Sequence, residues 1–287
     1  MTAVYQKELK SYFNNLFGYL YIAIILLFMG IFAAYYHFKN MVGDISYSLS
    51  TLAIVVFLVT PLITMRIIAE ERQKKTDQLL YSLPISISST VIAKYFAMLT
   101  VYIIPMSVIC LYPLIMSFFG TVNAAQSYGC ILAFFLMGAC LLAIGMFISS
   151  LTENQIISAI LSFVVMLLIY FSGAIANMVS STSSASFYAL GILAVVLGIV
   201  VFIMVKNYIA ALGVTAIAVT GLAIAYKINS TAFEGLFAKV IKWLSIYERC
   251  TPFYDGIFDL TAIVYFISVI FLFVFLTIQA VEKRRWS

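Results

Sequence analysis

The sequence predicts an all-α integral membrane protein, a polytopic bundle of about eight transmembrane helices. Hydrophobic residues make up 64% of the chain and charged residues only 9%, whereas soluble domains are about 25% charged. The few charges lie in short clusters, and long stretches between them carry none, as in residues 95–152. A stretch of that length holds two helices of about twenty residues, the number that crosses a bilayer. We therefore expect one transmembrane domain over residues 1–287.

The chain begins with a predicted interfacial helix followed by a first span. Residues 1–16 place Lys7, Glu8 and Lys10 among apolar residues, a spacing typical of an amphipathic helix in the membrane interface. The next apolar stretch, 17–38, is longer than the apolar core of a signal peptide. We therefore expect an uncleaved anchor.

The other spans follow from apolar stretches bounded by charges or by turn residues. The predicted spans are 45–65, two spans within 95–152 that separate near 120–127, then 156–178, 187–205, 208–226 and 260–281. The fourth span contains Gly138 and Gly145, which suit close helix packing. Between the last two spans, 227–259 has apolar residues at helical spacing and charges on the other face, which predicts an external amphipathic helix in the membrane interface.

The densest charge cluster lies in the predicted loop 66–94. Arg66 with Glu70, Glu70 with Lys74, and Glu71 with Lys75 are i,i+4 pairs that stabilise a helix. The cluster predicts a helix that leaves the membrane.

A second short helix is predicted directly after this cluster. Thr76 can cap it, Leu79 and Leu80 give it an apolar face, and Pro84 ends it. A short helix with exposed leucines invites a protein partner. The alternative is a solvated basic loop that only sets topology.

Residues 66–84, R-I-I-A-E-E-R-Q-K-K-T-D-Q-L-L-Y-S-L-P, resemble the loop between the second and third spans of type-2 ABC transporter permeases. In that family the loop implies a coupling helix that docks on a separate ATPase subunit. Matched by position, the resemblance implies an ATPase-coupling role for Glu70, Glu71, Arg72, Thr76, Leu79, Leu80 and Pro84. One departure is Lys75, where family members often have glycine.

The end of the chain resembles one subgroup of these permeases. The segments Gly256-Ile-Phe-Asp-Leu260 and Glu282-Lys-Arg-Arg-Trp286 are similar to permeases of the gliding-motility type. The family core usually has six spans, so the resemblance implies that 187–226 is an inserted hairpin. The competing interpretation places these residues outside as one re-entrant pair.

The distribution of lysine and arginine predicts that both termini are cytoplasmic, in the cell membrane of a prokaryote. With that orientation the cytoplasmic segments carry eleven of these residues: Lys7, Lys10, Arg66, Arg72, Lys74, Lys75, Lys94, Lys206, Lys283, Arg284 and Arg285. The external segments carry five: Lys39, Lys227, Lys239, Lys242 and Arg249. The loop 66–94 would then face the cytoplasm.

The sequence lacks the residues that would drive transport or catalysis within this chain. It has no G-x-x-x-x-G-K-[ST] nucleotide loop and no H-E-x-x-H or paired-cysteine metal motif. The predicted spans contain no Asp, Glu, Lys or Arg, whereas ion-coupled carriers usually need such groups there. We therefore expect no catalytic, metal or cofactor site here, and a driving force from outside the chain.

These observations favour the permease subunit of an ATP-driven ABC transporter, an exporter, rather than an enzyme. The resemblance implies that ATP and Mg bind a partner ATPase. It also implies a second permease chain, identical or related, and a further membrane protein with a large external domain. The lipid bilayer is a partner and nucleic acid is not, since the basic residues form no stripe with aromatics. Alternatives are a non-transport scaffold that anchors a cytoplasmic complex and a membrane-embedded enzyme.

Overall fold

All regular secondary structure is helical in the residues described by the computed structural model, which are 1–40, 43–76, 86–118, 120–178, 180, 182–205 and 208–285. The first seven helices are α1 (Thr2–Asn14), α2 (Leu16–Ala33), α3 (Ser46–Thr64), α4 (Ala69–Gln73), α5 (Ile87–Ile109), α6 (Tyr112–Ser117) and α7 (Ala124–Leu151). The others are α8 (Gln155–Tyr170), α9 (Ser172–Met178), α10 (Ser183–Val205), α11 (Tyr208–Ile228), α12 (Leu236–Leu244), α13 (Thr251–Tyr254) and α14 (Leu260–Arg285).

Five of the described helical stretches are long and apolar enough to cross a membrane: Leu16–Lys39, Ser46–Gln73, Ile87–Ser117, Ala124–Leu151 and Leu260–Arg284. The number rises to six if α8 and α9 form one broken span. The predicted hairpin 187–226 is present as α10 and α11, of which Ser183–Val195 and Thr215–Ile228 count as shorter apolar helices. The protein is thus a polytopic helical membrane protein, and eight spans remain a prediction.

The chain divides into two compact units, one of 1–168 with 249–287 and one of 169–248. In the first unit α3 and α7 form the core. In the apolar 18-residue stretch of each span, 78% is buried for the span that contains α3 and 83% for α7. Close packing depends on the predicted glycines. A Cβ on Gly145 would lie 2.4 Å from Thr64 Oγ1, and one on Gly138 would lie 2.3 Å from the ring of Tyr102.

Helix α5 begins earlier than the sequence predicted. Ser86 caps it, because its hydroxyl accepts a hydrogen bond from the backbone N–H of Ser89 at 3.4 Å. Residues 87–94, which the sequence assigned to the loop 66–94, are therefore helical. Lys94 lies inside α5 and is buried, where carboxylates from two other helices neutralise it.

The second unit is built around the hairpin of α10 and α11. Phe233 and Phe237 are buried against Leu190 of α10, and Phe187 and Tyr226 pack on the same cluster. The amphipathic character expected of 227–259 is confirmed for α12, but its apolar face packs on the hairpin over most of its length. Residues 249–259 belong to the first unit.

Candidate functional site

Helix α1 is bound to the bundle through one face. Tyr12 donates a hydrogen bond from its hydroxyl to the carbonyl of Ile63 in α3 at 3.1 Å, and Tyr5 shares one with Thr100 of α5 at 2.9 Å. Val4, Glu8 and Tyr12 are the buried residues of this helix, and burial raises the pKa of Tyr12. The helix expected to lie in the membrane interface is therefore also a packed part of the first unit.

Four charged side chains of α1, α4 and α5 form a closed ring, which we call the charge ring: Lys7, Glu8, Glu71 and Lys94. The ammonium of Lys94 lies 3.0 Å from Glu8 Oε1 and 2.9 Å from Glu71 Oε1. Lys7 lies 3.1 Å from Glu71 Oε1 and 3.7 Å from Glu8 Oε1. Positive and negative groups alternate around the ring, so that each charge has two neighbours of opposite sign.

Burial makes this ring energetically different from a surface ion pair. The side chain of Lys94 is only 3% exposed and that of Glu71 is 16% exposed. The third proton of Lys94 is also bound, since its ammonium donates to the carbonyl of Ile67 at 3.0 Å. A buried charge is stable only when it is paired and hydrogen-bonded. The charge ring meets that condition and so fixes α1, α4 and α5 to one another.

Glu70 and Glu71, neighbours in sequence, make different contacts. Glu70 lies 2.6 Å from Arg66 Nε and 2.7 Å from Lys74 Nζ, which confirms both predicted i,i+4 pairs. The predicted pair of Glu71 with Lys75 is wrong, since Glu71 contacts the two lysines of the charge ring. The reason is that Lys75 lies beyond the end of α4 and its backbone leaves the helical path.

Lys75 closes α4 with a left-handed turn. Its φ is 56°, in the region that favours glycine. The N–H of Thr76 donates to the carbonyl of Glu71 at 2.9 Å, and the N–H of Lys75 donates to the carbonyl of Arg72 at 3.0 Å. These two bonds define a Schellman motif. Family members are expected to carry glycine at the position of Lys75, and the backbone there has a conformation that suits glycine.

The start of α4 is bound to the end of α7. The hydroxyl of Ser149 accepts hydrogen bonds from the N–H groups of Ile68 and Ala69 at 3.3 and 3.1 Å and donates one to the carbonyl of Met65 at 3.3 Å. Arg72 is buried and its guanidinium donates to the carbonyl of Ser150. A cation at the C-terminal end of a helix is stabilised by the helix dipole.

The same end of α7 also contacts the last helix. Arg284 of α14 lies 2.5 Å from Glu153, in the turn after α7. A cavity of about 230 Å³ opens beside the charge ring, and Lys7, Glu70 and Thr76 are among its lining residues. One end of the first unit therefore gathers charged contacts from five helices: α1, α4, α5, α7 and α14.

Four of the predicted coupling residues lie in the described part of the chain, and three lie outside it. Glu70, Glu71, Arg72 and Thr76 lie together at this end of the bundle, whereas Leu79, Leu80 and Pro84 lie in 77–85, outside the described residues. The chain leaves the described part at Thr76, next to the Schellman motif, and returns at Ser86, the cap of α5. Both ends of the segment 77–85 are thus held on the same network.

Sequence reasoning missed three members of the charge ring: Lys7, Glu8 and Lys94. The available signal was that Lys94 directly precedes a charge-free stretch of two spans, where a lone charge needs a counter-ion. Within the described residues, no group of three or more His, Cys, Asp or Glu side chains could hold a metal ion.

Comparison with known proteins gives one match. The family model described as ABC-2 family transporter protein matches residues 5–188, which is more than half of the chain and includes the whole charge ring and the segment 77–85. No curated protein and no solved structure matches.

Proposed function

Because this chain belongs to the ABC-2 family of transporter proteins, we propose that it is the permease subunit of an ATP-driven exporter whose ATPase is a separate chain. The protein is a multi-pass membrane component of an ABC transporter. The proposal adds the direction of transport, the partner ATPase with its ATP and Mg, and the docking of that ATPase on 77–85. Within the family we assign the chain to the gliding-motility type, on the resemblance of its last segments.

The observation that carries the proposal is that the residues on both sides of 77–85 are hydrogen-bonded at helix ends, Thr76 after α4 and Ser86 before α5. Thr76 is held by the Schellman motif at the end of α4, and α4 is tied to α1 and α5 through Glu71. A displacement of the segment would therefore move α4, α1 and α5 together. A flexible basic loop that only sets topology would not need such an attachment.

In the proposed cycle, ATP binding closes two ATPase subunits and displaces segment 77–85. Leu79 and Leu80 would supply the apolar contact with the ATPase, contributing about 3–5 kcal/mol if both are buried there. Glu70, Glu71 and Arg72 would hold the base of the segment and pass the displacement to the spans. Since one chain offers one such segment, we expect two permease chains in each complex, identical or related.

The proposal is tested by co-purification of the ATPase with variants of 77–85. Leu79→Asp with Leu80→Asp is expected to release the ATPase, because two charges replace the apolar contact. Gln78→Asp with Ser82→Asp is the matched control, since it adds the same charge to the same segment and keeps both leucines. Mass measurement of the intact complex reports the number of permease chains.

Retention of the ATPase and of transport by the leucine double variant would show that 77–85 is not the docking segment. A scaffold that anchors a cytoplasmic ATPase complex without transport is the second candidate, supported by the same charged network. It predicts loss of the ATPase in the leucine variant as well, so the two are separated by the assay of transport in the intact complex. A single permease chain per complex would contradict the expected assembly.

A further inference from the structure

The apolar face of α12 packs on the hairpin near the start of the helix and is half exposed near its end. Phe237 is 7% exposed and packs on Leu190 and Phe233. Ile241, one turn further along, is only partly buried against the same cluster. Leu244 follows on the same face at i+7 from Phe237 and is 48% exposed. The apolar face therefore continues past the protein surface that it covers.

The exposed side chains near this end are of the kinds typical of the bilayer interface. Trp243 is 63% exposed, and Lys239 and Lys242 are exposed beside it at i, i+3 and i+4 spacing. Tryptophan is enriched at the level of the lipid headgroups, and lysines on the polar face of an amphipathic helix attract anionic lipids.

The hairpin next to α12 shows what continues this surface. Helix α11 exposes Ile217, Ile224 and Ile228 at 74%, 60% and 80%, and their spacing of seven and four places them on one face of the helix. In a membrane protein such a face contacts lipid. On the predicted topology the hairpin crosses the bilayer, which is then the apolar medium next to Leu244 and Trp243.

We propose that the C-terminal end of α12 inserts into the headgroup layer of the bilayer and binds anionic lipid. Trp243 and Leu244 lie at the boundary between headgroups and acyl chains, and Lys239 and Lys242 contact lipid phosphates. The sequence predicts a helix whose apolar face lies in the membrane interface. In the proposed arrangement most of that face is buried on protein and only its last turn reaches lipid. The proposal does not depend on how the ATPase couples.

The depth of Trp243 tests the insertion. The chain has two tryptophans, so the variant Trp286→Phe leaves Trp243 as the only one. It is reconstituted in nanodiscs of phosphatidylcholine whose acyl chains carry bromine just below the headgroup or near the chain end. Since interfacial helices bury their apolar face only about 5–10 Å deep, we expect the shallow bromines to remove about half of the fluorescence and the deep ones very little.

The lipid preference tests the role of the lysines. Brominated phosphatidylglycerol is compared with brominated phosphatidylcholine at equal mole fraction in the single-tryptophan protein. A lysine near an anionic surface gains about 1 kcal/mol, which is about fivefold in local concentration, so phosphatidylglycerol should quench more strongly. Lys239→Gln with Lys242→Gln should abolish the difference. Lys39→Gln, which removes an exposed lysine in the other unit, should leave it unchanged.

Three results would overturn the proposal. Quenching of Trp243 by aqueous iodide and by neither brominated lipid would place the helix end in solvent. Protection from both iodide and lipid would show that another protein chain covers it. Equal quenching by the two brominated lipids in the parent protein would refute the binding of anionic lipid.

Discussion

Lys94 carries a charge where the surrounding helices offer almost no water. Its side chain is 3% exposed, and it has two carboxylates and one carbonyl as neighbours. An unpaired ammonium in such a place costs several kcal/mol, so the two carboxylates are a condition for folding at this end. Individual residues here therefore differ sharply in what their removal costs, even when they are adjacent in sequence.

Glu70→Gln and Glu71→Gln should differ in their effect on stability. Glu71→Gln leaves Lys94 with Glu8 as its only carboxylate, and we expect a loss of about 2–3 kcal/mol, near the lower end for breaking a buried pair. Glu70→Gln removes contacts to Arg66 and to the exposed Lys74 and should cost less than about 1 kcal/mol. Thermal unfolding in detergent, followed by a thiol-reactive dye on the buried cysteines, measures both.

A further variant separates charge from packing in the charge ring. Replacing Glu8, Glu71 and Lys94 together with Gln, Gln and Met removes the buried charges, and stability should return most of the way to that of the parent. Equal small effects of the two single glutamine variants would contradict the buried-ring interpretation.

Lys75→Gly should stabilise the turn after α4. The left-handed conformation at Lys75, with φ of 56°, costs a non-glycine residue about 1–2 kcal/mol, and the greater freedom of glycine in the unfolded chain offsets part of this gain. We expect a net gain of about 0.5 kcal/mol. Lys74→Gly is the matched control, because Lys74 has helical backbone angles, and it should destabilise. A lower melting temperature for Lys75→Gly would refute the strained turn.

At the scale of elements, α7 organises the first unit. Its C-terminal end holds α4 through Ser149 and Ser150. Further back along the helix, Gly145 packs against α3 and Gly138 packs against α5. Membrane helices gain stability from close backbone approach, because lipid gives no hydrophobic drive for their association. The small residues of α7 therefore determine how near α3 can come.

Gly145→Ala should destabilise the bundle. The new Cβ would lie 2.4 Å from Thr64 Oγ1 and 2.7 Å from Thr64 Cβ, and Thr64 is held by its own bond to the carbonyl of Thr60. Overpacking of this kind costs about 1–3 kcal/mol. In the same helix Gly129 is the control, since the nearest side-chain atom to its added Cβ is 4.0 Å away. Gly129→Ala should melt at or above the parent temperature, and a similar result for Gly145→Ala would contradict the close contact.

At the scale of the whole molecule, the charges gather at one end of the first unit. The lysine and arginine bias predicts that this end faces the cytoplasm, where an ATPase is available. The charge ring and the pair of Arg284 with Glu153 join α1, α4, α5, α7 and α14 there. A force applied at that end would reach most of the membrane-crossing helices of the unit.

The predicted topology is tested by labelling single cysteines in a variant in which serine replaces the native cysteines. Cysteines at Asn123, Ser183 and Lys239 should react with an impermeant reagent from outside. A cysteine at Lys206, in a part of the chain outside the described residues, should react only after permeabilisation. Reaction at 206 from outside would leave the hairpin as a re-entrant pair and would contradict eight spans.

The sequence by itself determined the membrane class, the five helical stretches that are long and apolar enough to cross a bilayer and the place of the charge cluster. These features depend only on residues that are near one another in the sequence. Hydropathy is averaged over about twenty positions, and i,i+4 pairs lie within one helix. It therefore also predicted both pairs of Glu70 correctly. The glycines for close packing and the departure at Lys75 were visible in the sequence as well, without the contacts that explain them.

Only the tertiary structure decided which charges meet. Lys94 pairs with Glu8 across 86 residues, and Lys7 pairs with Glu71 across 64, and no local pattern specifies contacts over such distances. The structure also decided that α12 packs most of its apolar face on a hairpin, because an amphipathic pattern shows that a face is buried and not what buries it. A buried charge or an apolar face accepts any suitable partner, and the packing of the helices determines which partner comes within reach.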